Sequence, residues 1–456
     1  MQLQHKRILK IMLYLGVIVL LSIVSMVSIN AAFAVTDLVY DGVKVGNVDV
    51  GGLSEKEAQK KLEEAFWGQT NKEALLLTYK DQKWTIATSD IDLTINSESL
   101  AHQAYLVGRS GNIVNKIKEK FIALHSGHTI PIEVSYDNQK LSAIILQIAS
   151  SINQNAQNAG LIRTSPNLTV LPERIGVNVN IDATLAAIST NLSLKLPATI
   201  PLPVQEIVPT ITSQDLEGIE GIIGSYTTQF DATNNNRTIN IKLAAKSITD
   251  VLVRKNEVFS FNEYVGLRLA EHGYKEAPVF IEGKLVPDWG GGVCQVSSTL
   301  YNAVLLADLG IEERTSHFRP PGYVPLGQDA TVADNQLDFK FRNTSSNNIY
   351  ITTELTYGQL TVYIYGKPQP NAPNIEIASL DPKVIEPNTI VKQDPNLELG
   401  KKIVEVEGQK GFIINTYRIK YLNGKEIHRE FLATDEFPVE DSIVIVGTKV
   451  PDQKNK

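Results

Sequence analysis

Cys294 is the single cysteine of the chain and lies in Asp288-Trp-Gly-Gly-Gly-Val-Cys-Gln-Val-Ser-Ser-Thr-Leu-Tyr-Asn. Gly290, Gly291 and Gly292 permit backbone angles and close approaches that other residues forbid. Beyond them Val296, Leu300, Val304 and Ala307 recur three or four residues apart, which predicts a helix opening near Cys294 and stopping at Gly310. A thiol in the first turn of a helix is acidified by the amides and dipole gathered there. His317 follows as the natural base and Asp329 as the group to orient it, the order nucleophile, base, carboxylate. Backbone donors at the glycine run would hold an oxyanion, each contributing about 2.7–4 kcal/mol, and the Gln295 side chain is a further candidate donor. Gly290, Gly291 and Gly292, with Arg314 and Arg319 on either side of His317, form a candidate ligand surface, arginine being suited to carboxylates on peptides. The competing reading makes Cys294 a small apolar residue packed beside Val293 and Val296, with His317 in a structural hydrogen bond. Both readings stay open on the sequence.

Other chemistries find little support. Of the seven histidines only His125 and His128 lie close together, without a third ligand nearby, so no metal is expected. No phosphate loop and no serine elbow occurs, and the spaced glycines between Gly42 and Gly52 do not open a helix, so no cofactor is expected. The formal net charge of −7 argues against nucleic acid as a partner. With 456 residues, 43% of them hydrophobic, the chain has length for about three folded units.

The elements that must position these residues follow an amino-terminal apolar run. Lys6, Arg7 and Lys10 precede an uncharged stretch over residues 11–36, long enough to span a bilayer with its basic end cytoplasmic. Residues 1–36 are therefore expected to be a cytoplasmic tip and signal-anchor. The expected location is a single-pass membrane protein with its bulk on the outer face. Cleavage after Ala34, in Ala32-Phe-Ala, would instead give a secreted form. The fold class expected for the remainder is multidomain α+β. Residues 37–128 and 129–212 read as two small α+β units, the first with Ser54 and Glu57 as a helix capping box and Ala58, Leu62, Ala65 and Phe66 as its apolar stripe. Residues 221–366 form the α+β body, closing in an expected three-strand meander over 337–341, 349–355 and 360–365. A proline-rich linker at 367–374 leads to an all-β module at 375–448, where Asn423-Gly424 between alternating runs signals a hairpin, and a polar tail fills 449–456.

Three resemblances overlay this plan. Gly-Gly-Gly-Val-Cys-Gln-Val-Ser-Ser-Thr-Leu-Tyr-Asn-Ala, the Glu-Arg-x-x-His step ending at His317, Pro-Leu-Gly-Gln-Asp-Ala-Thr-Val, and Gly273 to Pro278 together resemble the VanW family. Asp49-Val-Gly-Gly-Leu-Ser and Ala104-Tyr-x-Val-Gly-Arg are similar to the peptidoglycan-binding domains found beside cell-wall transpeptidases. Val406-Glu-Gly-Gln-Lys-Gly and Tyr421-x-Asn-Gly-Lys resemble the G-five domain, which implies an adhesive or glycan-binding module. The resemblances imply peptidoglycan, as glycan strands or stem peptides, for a partner. Two functions are weighed, the first as the leading expectation and the second as its alternative. One is non-catalytic association with peptidoglycan, in wall maintenance or envelope and glycopeptide stress tolerance. The other is a thiol enzyme hydrolysing or transferring an amide in wall peptides.

Overall fold

The computed structural model describes residues 12, 14–22, 37–164, 167–281 and 284–449, less residues 68–72. The span expected over 11–36 lies largely outside these residues; residues 14–22 are helical and exposed. No described helix is long and apolar enough to cross a membrane. The folded chain divides into two compact units, one ending at Val208 and lacking residues 157–174, the other built from 157–174 and everything from Pro209 onward.

In the first unit, helix α1 (Glu55–Trp67) opens on the expected capping box. The Ser54 amide donates to Glu57 Oε2 at 2.9 Å, and the Glu57 amide donates to Ser54 Oγ at 3.3 Å. Ala58, Leu62 and Phe66 are buried as the stripe requires, whereas Ala65 is exposed. Helices α2 (Ser97–Leu106), α3 (Ile113–Ser126), α4 (Asn138–Ile152) and α5 (Ile181–Leu192) follow. The strands pair across long separations. Val43–Val45 runs parallel to His128–Ile130, and Glu73–Tyr79 takes Gln82–Ala87 on one edge and Ala198–Pro201, in parallel, on the other. The two stretches read as tandem units therefore exchange strands, because a parallel pair needs a long crossover between its members. Leu75, Leu77, Ile86, Leu141, Ile145, Ile188 and Leu192 close an apolar core between sheet and helices.

The second unit is organised around a four-stranded antiparallel sheet in the order Gly221–Gln229, Gln359–Gly366, Ile349–Thr356, Val251–Val253. Helices α6 (Asn235–Ser247), α7 (Phe261–Val265) and α8 (Val293–Leu306) contribute to its core, and α8 contacts the sheet through Val296, Leu300 and Val304. The expected meander is reduced to one hairpin. Lys340–Arg342 pairs instead with Val258–Ser260 and Gly310–Glu313, because Phe339 and Phe341 pack among Phe259 and Tyr301. The helix also stops before Gly310, at Leu306, where Asp308 takes the left-handed turn at φ 59° and accepts an ion pair from Lys420 at 2.6 Å.

The hairpin Gly160–Thr164/Asn167–Leu171 belongs to this second unit, with Leu161 and Leu168 packed against the Tyr350 and Tyr365 cluster. The all-β module joins it as well. Strands Asn374–Ile385, Gly411–Leu422 and Lys425–Phe437 form one sheet, and Asn423-Gly424 makes the hairpin turn with both φ positive, at 51° and 76°. Ile377 and Leu432 of this sheet pack on the α8 core, and Arg418 Nη1 donates to Leu309 O at 2.8 Å. A second sheet of Thr389–Glu398, Ser442–Lys449 and Lys402–Val406 completes the module.

Candidate functional site

Helix α8 begins at Val293 with Gly292 as its cap at φ 109°, so Cys294 is its second residue. The glycines are needed for proximity. A Cβ on Gly291 would fall 2.8 Å from Ala277, and one on Gly292 would fall 2.9 Å from Arg237 Cγ. Buried Asn240 of α6 ties the loop down, its amide donating to Gly291 O at 3.0 Å and Lys275 O at 2.8 Å. The helix amino terminus is thereby wedged between α6 and the strand Glu276–Ile281.

The polar face of α8 then collects the loop that carries Asp329. Ser297 Oγ donates to Ala330 O at 2.6 Å, the Ala330 amide donates to Ser298 Oγ at 2.9 Å, and Asn302 Nδ2 donates to Gln328 O at 2.7 Å. Fully buried Asp329 receives His317 twice on one carboxylate oxygen, from the backbone amide at 2.7 Å and from Nδ1 at 2.6 Å. Because a carboxylate only accepts, Nδ1 carries a proton, which leaves Nε2 as the nitrogen through which His317 and the Cys294 thiol influence each other. The Cys294 thiol donates to Val332 O at 3.4 Å.

The electrostatics follow from these contacts. Burial opposes ionisation of Cys294, but the hydrogen bond and charge of His317 outweigh it, and the thiol is held below the ordinary cysteine value. Burial likewise opposes the imidazolium, yet hydrogen bonds to Asp329 and Cys294 raise His317 to about 9. Asp329 is lowered against its own burial by the His317 hydrogen bond and charge and by Arg314. Cys294 is half-buried and the His317 side chain is 16% exposed, so the pair remains reachable from solvent.

The remaining expected residues have other partners. Gln295 is buried, and its side-chain amide donates to Thr228 Oγ1 and Gln229 O at 2.9 Å each while its oxygen accepts from Arg237 at 2.6 Å. That takes the Gln295 side chain out of the oxyanion role. Of the first-turn amides Val293 donates to Gly290 O at 3.0 Å and Gln295 to Gly292 O at 3.1 Å, which leaves that of Cys294 as the candidate donor. Arg314 is buried between two carboxylates, Asp329 at 3.1 Å and Asp435 of the β module at 2.5 Å. Arg319 is paired with Glu440. Neither arginine presents an open guanidinium to a ligand. Three residues escaped the sequence reading. Arg237 lies inside Asn236-Arg-Thr, a sequon of no evident chemistry, and Tyr323 lies inside Pro320-Pro-Gly-Tyr. The Tyr323 ring meets His317 edge-on at 6.5 Å, and its hydroxyl is buried without a well-formed hydrogen bond. Asp435 sits in a strand with no local signal of any kind. Among the described residues no group of three or more candidate ligands could hold a metal.

A family model described as "VanW like protein" matches residues 236–365, the stretch that carries Cys294, His317 and Asp329. "Uncharacterized protein YoaR" of Bacillus subtilis (strain 168) is 37% identical over 230 residues, covering 50% of this chain and 75% of the relative. The chain belongs to the VanW-like family. "Vancomycin B-type resistance protein VanW" of Enterococcus faecalis (strain ATCC 700802 / V583) is 31% identical over 154 residues, 32% of this chain and 56% of that protein. This VanW-like chain also matches a peptidoglycan binding domain model at residues 84–201 and a G5 domain model at 381–449. A solved structure titled "IgA1 Protease G5 domain structure" is 27% identical, covering 18% of this chain and 96% of its own length, at a TM-score of 0.14. The matched domains and relatives support a cell-wall-associated function in an extracytoplasmic location.

Proposed function

We propose that this protein is a thiol enzyme that hydrolyses or transfers an amide bond in cell-wall peptides. The observation that carries the reading is the placement of Cys294 in the first turn of α8 together with His317, whose Nδ1 is held at 2.6 Å by buried Asp329. The mutual influence of His317 and Cys294, one raised and the other lowered, agrees with it. A structural cysteine has no need of such a partner. In the proposed reaction the Cys294 thiolate attacks the amide carbon, forming a C–S bond as the carbonyl pair moves onto oxygen. The Cys294 backbone amide, in the first turn of α8, meets that oxyanion. Collapse breaks the C–N bond, and His317 Nε2 passes its proton to the departing nitrogen. Water or a second amine, deprotonated by His317, then attacks the thioester and releases Cys294.

Wall peptides are the substrate class because peptidoglycan binding and G5 models flank the VanW-like stretch in sequence. Association with peptidoglycan, the other reading, becomes the role of those flanking regions. The basic residues before the apolar run at 11–36 support a membrane tether with the folded units outside. The test is mass spectrometry of purified muropeptides incubated with the full-length protein. Wild type is expected to release an amine from the peptide and to accumulate an acyl adduct on Cys294, and Cys294→Ala to do neither. Unchanged muropeptides together with an unreactive thiol would leave wall association as the whole function.

A further inference from the structure

Buried cations in the second unit are matched by carboxylates. Arg268 pairs with Asp334, Arg314 with Asp329 and Asp435, and Arg418 with Glu430. Such matching is expected, since a desolvated charge without a counter-ion is costly. Arg237 departs from the pattern. It is half-buried on α6, and its side-chain hydrogen bond goes from Nη2 to the neutral carboxamide oxygen of Gln295. No carboxylate of the described residues lies within ion-pair distance of it. Asp231, which feels its charge, is turned to the amide of Thr233 at 2.9 Å and the Thr233 hydroxyl at 2.7 Å. Burial accordingly pushes the Arg237 guanidinium down, with only more distant charges opposing the shift.

The position of this arginine matters as much as its lack of a partner. Its hydrogen-bond partner Gln295 adjoins Cys294, and its Cγ packs where a side chain on Gly292 would stand. Cys294 and Tyr323 both lie within its electrostatic reach. A guanidinium carries five donors in a planar fork matched to a carboxylate, and one neutral acceptor leaves most of that capacity unused.

We infer that Arg237 is the substrate-binding residue for a carboxylate that flanks the scissile amide, so that the preferred substrates are anionic peptides. This inference rests on the thiol-enzyme reading. The carboxylate has two sources, the free carboxyl terminus of a peptide or the side chain of an acidic residue next to the cleaved bond.

The test uses two alkylating reagents on the full-length protein. Iodoacetate and iodoacetamide both form an S–C bond with the thiolate and release iodide, but only iodoacetate brings a carboxylate. The ratio of their rates cancels the thiolate fraction and reports the anion preference alone. In wild type that ratio is expected to exceed the ratio for free glutathione by roughly tenfold, the worth of about 1.4 kcal/mol. Arg237→Gln should return it toward the free-thiol value, and Arg237→Lys should keep part of the preference. A second measurement needs no variant. A dipeptide with a free carboxyl terminus, its amide, and an amide carrying a glutamate side chain are compared as competitors of iodoacetamide labelling on wild type. Protection by the first alone identifies a terminal carboxylate, and protection by the third identifies an acidic side chain. A reactive Cys294 whose ratio is the same in wild type and Arg237→Gln, with equal protection by all three peptides, would overturn the inference and leave the thiol enzyme standing. Inertness to both reagents would remove the enzyme reading and this one together.

Discussion

The two units are held together by different physics. Buried positions of the first are aliphatic almost throughout, with Ser97 and Thr184 the buried polar residues among those described. The second buries Asn240, Arg268, Gln295, Asn302, Asp329, Asp338, Asn343, Arg418 and Asp435. An apolar core tolerates any neighbour of suitable shape, whereas each buried polar group demands a specific partner at a specific distance. The second unit meets the demand with an alternating series that crosses from the β module into the site: Asp435, Arg314, Asp329, His317, Cys294. The contrast teaches where rigidity was needed. A scaffold can rely on area, whereas the unit that carries the proposed thiol site relies on paired charge.

The largest effect is expected from Asp329→Asn, which keeps the shape and removes the central anion. The second unit should lose about 3–5 kcal/mol in chemical denaturation, because Arg314 and His317 are left facing a neutral group. Iodoacetamide labelling of Cys294 at neutral pH should slow by tenfold or more. Leu75→Ala in the first unit should cost a comparable amount, about 2–5 kcal/mol, without touching the labelling rate. Equal loss of reactivity in both variants would erase the distinction between scaffold and site.

A smaller effect is expected from Asp435→Asn. Arg314 would keep Asp329, so the loss should be about 1–3 kcal/mol, with labelling of Cys294 slowed a few-fold. Lost stability with undiminished reactivity would show that the series ends functionally at Asp329 and that the β module is only a brace.

The subtlest effect concerns pH. His317 is raised from 6.5 to about 9, so its share of stability is whole below 6.5 and is lost as pH climbs through about 9. Cys294 is lowered from 9.0, so its share is whole above 9.0 and is lost as pH falls through the lowered value. The opposed trends should leave wild-type stability flat across neutral pH. In Cys294→Ala only the histidine trend survives, and stability should fall as pH rises past 6.5, by about 1 kcal/mol. Parallel curves for the two proteins would mean that no thiolate–imidazolium pair forms.

Local order was readable wherever a few neighbouring residues decide it. The capping box at Ser54 and Glu57, the stripe of α1 apart from Ala65, the start of α8 within one residue of Cys294 and the Asn423-Gly424 turn each follow from short-range rules of spacing and backbone angle. Residue types with obvious chemistry were also readable, which is why Cys294, His317 and Asp329 could be named before their geometry was known. The partners of Arg314 and Arg319 were not, since an arginine in isolation looks the same whether it faces solvent, a ligand or a carboxylate from another strand.

The amino-acid sequence by itself determined the openings of α1 and α8, the Asn423-Gly424 turn and a set of groups able to act as nucleophile, base and carboxylate. Only the tertiary structure decided that Asp435 anchors Arg314, that Ala198–Pro201 joins Glu73–Tyr79, and that Arg237 bonds the neutral Gln295 side chain rather than a carboxylate of the described residues. The physical reason is that charge pairing and parallel strand pairing act between residues brought together by burial, and desolvation assigns their partners without leaving a mark on the chain nearby.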